Sequence, residues 1–365
     1  MTVRRVLITT DAVGGVWTYS VQLAASLRAL GIEPVLAAMG PPPSVEHLAT
    51  AGRTPVIDTG LPLDWLADSA HDVRQAGLAV ARLADDVGAD VVQLHSAALA
   101  GDTGYNQPVV AVQHSCVATW WQAVRDEPLP QELKWRVELV GCGLRRADAV
   151  VAPTAAFGAH TARTYPLNRD VQTVHNGRTH LLLPDRQRAD FVLTVGRLWD
   201  AGKNVRTLDA AAGLSSVPIE AVGPLGGPDG SAVVFDNLVT PGSLKERAIA
   251  ERLAACPVFV SSALYEPFGL SVLEAAHAGC PLVLSDIPTF RELWGEAAMF
   301  VPATDAQRFA DAIANLLNNP ELRDVYGRAA KQRAARYTPG AMARRMLDIY
   351  EKLAANAAPE IARVA

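Results

Sequence analysis

The chain has 365 residues, half of them hydrophobic, which is more than one α/β core buries comfortably and enough for two domains that each bury their own. A formal net charge of −5 excludes the global positive field that would hold a nucleic-acid backbone. The four cysteines, Cys116, Cys142, Cys256 and Cys280, stand far apart with no Cys-x-x-Cys pair, which argues against a zinc knuckle or a disulfide scaffold and reads as reduced, mostly buried thiols.

Arg4 and Arg5 precede an apolar run, but Val6 to Thr10 is too short for a signal peptide and reads as a first strand. Further strands are predicted at Pro34 to Ala37, Pro55 to Asp58, Val91 to His95, Val109 to Gln113, Val150 to Pro153 and Gln172 to His175. Val-, Ile- and Leu-rich runs alternating with helix-length segments are the mark of a parallel sheet covered on both faces. The loop Asp11 to Trp17 places Gly14 and Gly15 between the first strand and the first helix. It lacks the full G-x-G-x-x-G fingerprint, so it is either a tight turn or a ligand-facing loop. Trp17 and Tyr19 either border a ligand with Asp11 or pack the helix. His95 and His114 end apolar strands and should emerge at the ligand-bearing edge of the sheet. Trp120 and Trp121 either stack on a ring or pack a core. The segment from Pro130 to Arg146 patterns as a basic amphipathic helix, which either touches an anionic membrane surface or packs with its charges in water. His175 and Asn176 read as a structural turn.

The segment from Leu181 to Asp190, LLLPDRQRAD, suits an interdomain linker. Strands then restart at Phe191 to Val195, Glu220 to Val222, Val258 to Ser261, Pro281 to Ser285 and Met299 to Val301. The loop after the first of these, VGRLWDAGKN, carries Arg197 and Lys203, a fork of donors and a point charge able to neutralise a diphosphate. Tyr265 to Glu274, YEPFGLSVLE, reads as loop then helix, with Glu266 in the loop and Glu274 on the helix. A helix N-terminus there offers unpaired N–H groups to a phosphate, and Gly269 lets a ligand approach the backbone. The final segment opens at Thr338 and Pro339, a cap and a first-turn proline. Met342, Met346, Ile349, Tyr350 and Leu353 then recur on one helical stripe. No stretch of about 18 uncharged, predominantly apolar residues reads as a membrane span, and a cytoplasmic protein is expected, with at most peripheral contact at the inner membrane face.

Two elements, Glu266 and Glu274 with PFGLSVL between them and the Gly196, Arg197, Lys203, Asn204 series, resemble glycosyltransferase family 4. The resemblance spans nearly the whole chain. It implies an α/β, GT-B architecture: two Rossmann-like doubly wound domains facing a cleft, 1–183 on the acceptor side and 190–337 on the donor side, with a terminal helix and tail, 338–365, returning toward the first domain. It further implies that Arg197 and Lys203 grip the donor diphosphate, Glu266 contacts the donor sugar and Glu274 the ribose, with Phe268, Gly269 and Leu270 completing the pocket. Ser243 and Leu244 fall in the nucleobase region. His114 approaches the donor sugar and joins Glu266 as a catalytic candidate, and Gly15 lies near the diphosphate. Gly14, Asp11, His95 and Trp120 are acceptor-side candidates.

The implied reaction is transfer of a hexosyl group, with retention, from a UDP-, GDP- or ADP-sugar to the hydroxyl of a sugar, glycolipid or small molecule, in glycan, glycolipid or glycoconjugate biosynthesis. The donor is a co-substrate. No cofactor, metal or nucleic acid is expected, and no spaced His/Cys set suggests a metal. The alternatives are a GT-B sugar-nucleotide epimerase or hydrolase and a non-catalytic nucleotide-sugar-binding subunit. A nicotinamide dehydrogenase is disfavoured by the missing fingerprint.

Overall fold

The computed structural model describes residues 2–167, 169–228, 230–255 and 258–357. Cys256 and the tail beyond residue 357 lie outside the described residues. The chain divides into two compact units: one runs up to Gly177 and takes the chain up again from Thr338, and the other is Arg178–Tyr337.

In the first unit the chain forms β1 (Arg5–Asp11), α1 (Gly15–Ala29), β2 (Glu33–Met39), α2 (Val45–Ala51), β3 (Val56–Asp58), α3 (Ala70–Asp86) and β4 (Val91–Leu94). It continues with β5 (Val109–Val112), α4 (Val117–Val124), α5 (Lys134–Arg146), β6 (Ala149–Ala152), α6 (Ala155–Thr164) and β7 (Val171–Thr173). All pair in parallel, in the order β3-β2-β1-β4-β5-β6-β7. Because side chains alternate across a strand, each apolar run serves two cores. Leu7, Val92 and Ala111 enter one, while Val6, Ile8, Val91 and Val110 enter the other.

The second unit contains β8 (Val192–Val195), α7 (Val205–Ala212), β9 (Ile219–Val222), β10 (Val239–Gly242), α8 (Glu246–Ala255) and β11 (Val258–Ser261). After these come α9 (Leu270–His277), β12 (Leu282–Ser285), α10 (Pro288–Trp294), β13 (Ala298–Val301), α11 (Ala306–Asn318) and α12 (Pro320–Ala334). Its parallel sheet runs β10-β9-β8-β11-β12-β13, a doubly wound order that reverses between β8 and β11. Phe259, Leu282 and Leu284 fill one core, and Val258, Val260 and Val283 the other.

The last helix, α13 (Pro339–Ala357), belongs to the first unit. Its stripe of Met342, Met346, Ile349 and Tyr350 is buried in the same cluster as Leu23 and Leu27 of α1. Each such aliphatic side chain contributes about 1.5–3 kcal/mol on burial. The Tyr350 hydroxyl donates to Oε1 of Gln93 at the middle of β4, so the one polar atom of the stripe is satisfied.

The structure corrects several sequence expectations. β10 went unseen because Pro241 and Gly242 depress strand propensity, and both are tolerated on an edge strand. The chain passes between units at Gly177 and Arg178, ahead of the segment from Leu181 to Asp190. That segment is irregular and tied to the second unit, where Ala189 N–H donates to Ala255 O (3.0 Å) and Arg323 to Asp190 (3.2 Å). Cys116 and Cys142 are only partly buried, and Cys280 is buried. Arg136 on α5 turns inward to the carbonyls of Asp64 and Ala67 (3.3 and 2.7 Å), which uses one of that helix's cations for packing.

Gly143 on α5 lies against the turn at Ala97–Ala100, and a Cβ there would overlap the Ala97 carbonyl. Backbone cannot yield as a side-chain tip can, so Gly143→Ala is expected to cost about 1–3 kcal/mol. Thermal denaturation should show a Tm lower by roughly 3–10 °C, and an unchanged Tm would contradict this packing.

Candidate active site

The reversal of strand order in the second sheet brings two loops together, the one after β8 and the one after β11. They are sewn to each other by backbone. Gly202 O accepts from Leu264 N and Tyr265 N (2.9 and 3.1 Å), and Asn204 Nδ2 donates to Ser262 O and Ala303 O (3.0 and 2.7 Å). Asn204 adopts a left-handed conformation (φ 52°), which its short polar side chain tolerates. Asp200 caps the turn at Gly202 with one oxygen (2.9 Å) and accepts from Arg197 Nη2 with the other (2.9 Å).

The consequence is that Lys203 Nζ meets Oε2 of Glu266, two side chains 63 residues apart in sequence. Both are largely shielded, at 21% and 14% exposure, so their attraction is less screened than that of a surface pair. Thr289 Oγ1 holds the Glu266 carbonyl at 2.7 Å. Arg197 is more open, at 41%, lies over the ring of Trp199, and keeps a buried Nε without a hydrogen-bond partner among the described residues.

Glu266 leads directly into α9. Gly269, the residue before that helix, has φ 88° and is flanked within 3.3 Å of its would-be Cβ by Phe290, Glu266 and Val272. A side chain there would be strained and would press on Glu266. Phe268 turns into the core against Tyr337, so only its backbone faces the loop. Leu270 opens the helix, whose first N–H groups lack intrahelical partners. One turn later Glu274 pairs with Arg178 (2.7 Å), which also reaches Glu246 (2.6 Å). Ser243 and Leu244 border a shallow depression of about 370 Å³, together with Lys245, Arg247, Ala248 and Glu251.

In the first unit, Asp11 ends β1 and its Oδ1 accepts from Val13 N (2.9 Å). Gly14 is extended (φ −160°) and Gly15 is helical, so neither position demands glycine for its torsion. Trp17 and Tyr19 are buried among the core residues packed on α1. Tyr19, His95 and His114 form a three-ring cluster with centroids 4.5–5.2 Å apart, all edge-on. His95 Nε2 lies 2.6 Å from Gln93 Nε2 and its Nδ1 3.4 Å from Ser20 Oγ, which occupies both ring nitrogens. Burial lowers the His114 pKa to about 4, so its ring is neutral near pH 7, and its buried Nε2 has no hydrogen-bond partner among the described residues. Trp120 is partly buried on α4, with the Arg125 guanidinium 5.7 Å from its ring. Among the described residues no group of three or more His, Cys, Asp or Glu side chains is arranged to hold a metal.

Two shielded, oppositely charged side chains beside an open helix N-terminus, at a strand-order reversal, make a site suited to an anionic ligand bearing hydroxyls. Residues 13–179 match the model described as Glycosyltransferase Family 4, and residues 234–333 match Glycosyl transferases group 1. The alpha-maltose-1-phosphate synthase of Mycolicibacterium smegmatis is 28% identical, covering 81% of this chain and 90% of its own. The D-inositol 3-phosphate glycosyltransferase of Frankia alni is 26% identical, covering 96% and 97%. In fold, the chain resembles the sucrose-phosphate synthase of Thermosynechococcus elongatus (TM-score 0.78, 20% identity, 97% and 100% covered). It also resembles Anabaena HepE, solved in complex with UDP and glucose (TM-score 0.73, 16% identity, 96% and 100% covered). The chain is a glycosyltransferase of the GT-B fold.

In this glycosyltransferase the group 1 match takes in Ser243, Leu244, Glu266 and Glu274, whereas Arg197 and Lys203 lie ahead of it. The family 4 match takes in Gly14, Gly15, His95, His114 and Trp120, with Asp11 just outside. Sequence reading overlooked Arg178. Nothing local signals it, because its partners stand 68 and 96 residues away. Thr289 was overlooked for the same reason. Among the described residues no helix is long and apolar enough to cross a membrane.

Proposed function

We propose that this glycosyltransferase belongs to family 4 and transfers a hexosyl group, with retention, from a nucleoside diphosphate sugar to an acceptor hydroxyl. The observation that carries the reading is the pairing of Lys203 with Glu266 beside the α9 N-terminus. Lys203 and Arg197 take the diphosphate, whose charge grows as it departs, and the first N–H groups of α9 add the positive end of the helix dipole. Glu266 accepts from hydroxyls of the transferred sugar. Glu274 accepts from the ribose, and the loop at Ser243 and Leu244 meets the base. From the first unit, neutral His114 offers Nε2 to the donor sugar, Gly15 lies near the diphosphate, and Gly14, Asp11, His95 and Trp120 belong to the acceptor side.

In this reaction the bond from the anomeric carbon to the phosphate oxygen breaks, and a bond to the acceptor oxygen forms on the same face. The acceptor proton passes to the leaving phosphate. The enzyme's part is to hold both partners and stabilise the departing charge.

A thermal-shift screen with UDP, GDP, ADP and their sugars tests the donor. A ligand at about 100 times its Kd stabilises the folded state by about 2.7 kcal/mol, so one base should raise Tm by several degrees. The HepE complex makes UDP and UDP-glucose the first choice. The anomeric configuration of the product, read by NMR, should match that of the donor. Inversion, or no shift with any of the nucleotides, contradicts the reading.

A further inference from the structure

Arg178 is the first residue of the second unit, and its side chain is 11% exposed. Its Nε donates to Oε1 of Glu274 (2.7 Å) and its Nη2 to Oε2 of Glu246 (2.6 Å). Glu274 sits on α9 at 14% exposure, while Glu246 begins α8 at 66%. α8 follows the loop of Ser243 and Leu244, so one guanidinium joins the carboxylate on α9 to the helix behind the base-side depression. A planar fork fixes the direction of both bonds, which a lysine cannot do. The bond to Oε1 leaves the second oxygen of Glu274 to accept from a ligand.

Burial raises the Glu274 carboxyl above the usual carboxylate range, Arg178 opposes that rise, and Glu246 adds to it. Among the described residues, these are the charged groups that act on Glu274. Lys331 of α12 lies by Gly279 at the other end of α9, where it and His180 face His277.

We propose that Arg178 is a positioning residue for the nucleotide half of the donor, acting through Glu274 by keeping its carboxylate charged and aimed while tying it to Glu246. This rests on the reading of Glu274 as the ribose contact. The catalytic groups Lys203 and Glu266 have separate partners, so Arg178 governs donor affinity and leaves the chemical step largely alone.

The test is calorimetric titration with whichever of UDP, GDP and ADP gives the largest thermal shift, between pH 5.5 and 8. It uses the wild type, Arg178→Ala, Arg178→Lys, Glu274→Gln and the double variant Arg178→Ala with Glu274→Gln. Glu274→Gln should bind about tenfold more weakly, the loss of one charge-assisted contact, at all pH values. Arg178→Ala should bind about threefold more weakly at pH 7.5 and approach the loss of Glu274→Gln as pH falls, because Glu274 without its partner takes up a proton at higher pH. The double variant should match Glu274→Gln within about twofold, since a residue that acts through another adds no loss once that other is gone. Arg178→Lys retains charge without the fork and should fall between wild type and Arg178→Ala, which keeps the test open if the alanine variant fails to fold. In turnover the donor KM should rise in Arg178→Ala with kcat within about twofold of wild type. Wild-type affinity and pH profile in Arg178→Ala and Arg178→Lys, or losses that multiply in the double variant, overturn the proposal while leaving the donor site standing. Wild-type affinity in Glu274→Gln instead overturns the ribose reading, and the proposal with it.

Discussion

Lys203→Ala is expected to lower kcat/KM for the donor by about two to three orders of magnitude, the loss of about 3–4 kcal/mol seen when a preorganised donor to developing charge is removed. Two effects combine. The ammonium that stabilises the departing diphosphate is gone, and Glu266, only 14% exposed, loses the cation that faces it. Steady-state kinetics measure the first effect and the Tm of the variant measures the second. A variant with an unchanged Tm and a large loss of kcat/KM places the lysine in the reaction, whereas a loss that follows Tm alone makes the pair structural. Unchanged kinetics would remove Lys203 from the donor site.

Glu266→Ala should divide binding from chemistry. Its proposed contact is with the transferred sugar, so kcat should fall by about a hundredfold or more while the Kd of the free nucleoside diphosphate stays within about threefold. The deletion also frees Lys203, which without Glu266 has no competing anion at the diphosphate. Nucleotide affinity should therefore hold or improve slightly. An equal fall in both quantities would move Glu266 to the nucleotide half of the site and leave the sugar without an identified carboxylate.

Much of the site could be read from sequence because its elements are local. Glu266, Gly269 and Glu274 lie within one loop and the two turns of α9, where chain direction, a glycine with φ 88° and a helix N-terminus follow from neighbouring residues. Arg197 and Lys203 likewise share one short turn, which Asp200 closes by bonds between residues two and three apart. The first unit was less legible. Trp17 and Tyr19 at the start of a helix read equally as ligand-facing or as core, and only the fold shows both buried in the cluster that α13 shares with α1. His95 and His114 were placed at a strand edge, but sequence says nothing of the Tyr19 ring packed against both or of the burial that lowers the pKa of His114.

By itself the sequence determined the two parallel sheets, because continuous apolar runs of four to seven residues can only be buried on both faces. It also placed Arg197, Lys203 and Glu266 in loops that follow strands, whose carboxyl ends collect ligands. Tertiary structure decided the partners. Lys203 finds Glu266 across 63 residues and Arg178 finds Glu274 across 96, since β11 is laid beside β8 and α9 follows from it. An ion pair of that span leaves no periodicity and no spacing in the chain: each charge, read alone, is an ordinary surface residue until the fold removes the water around it.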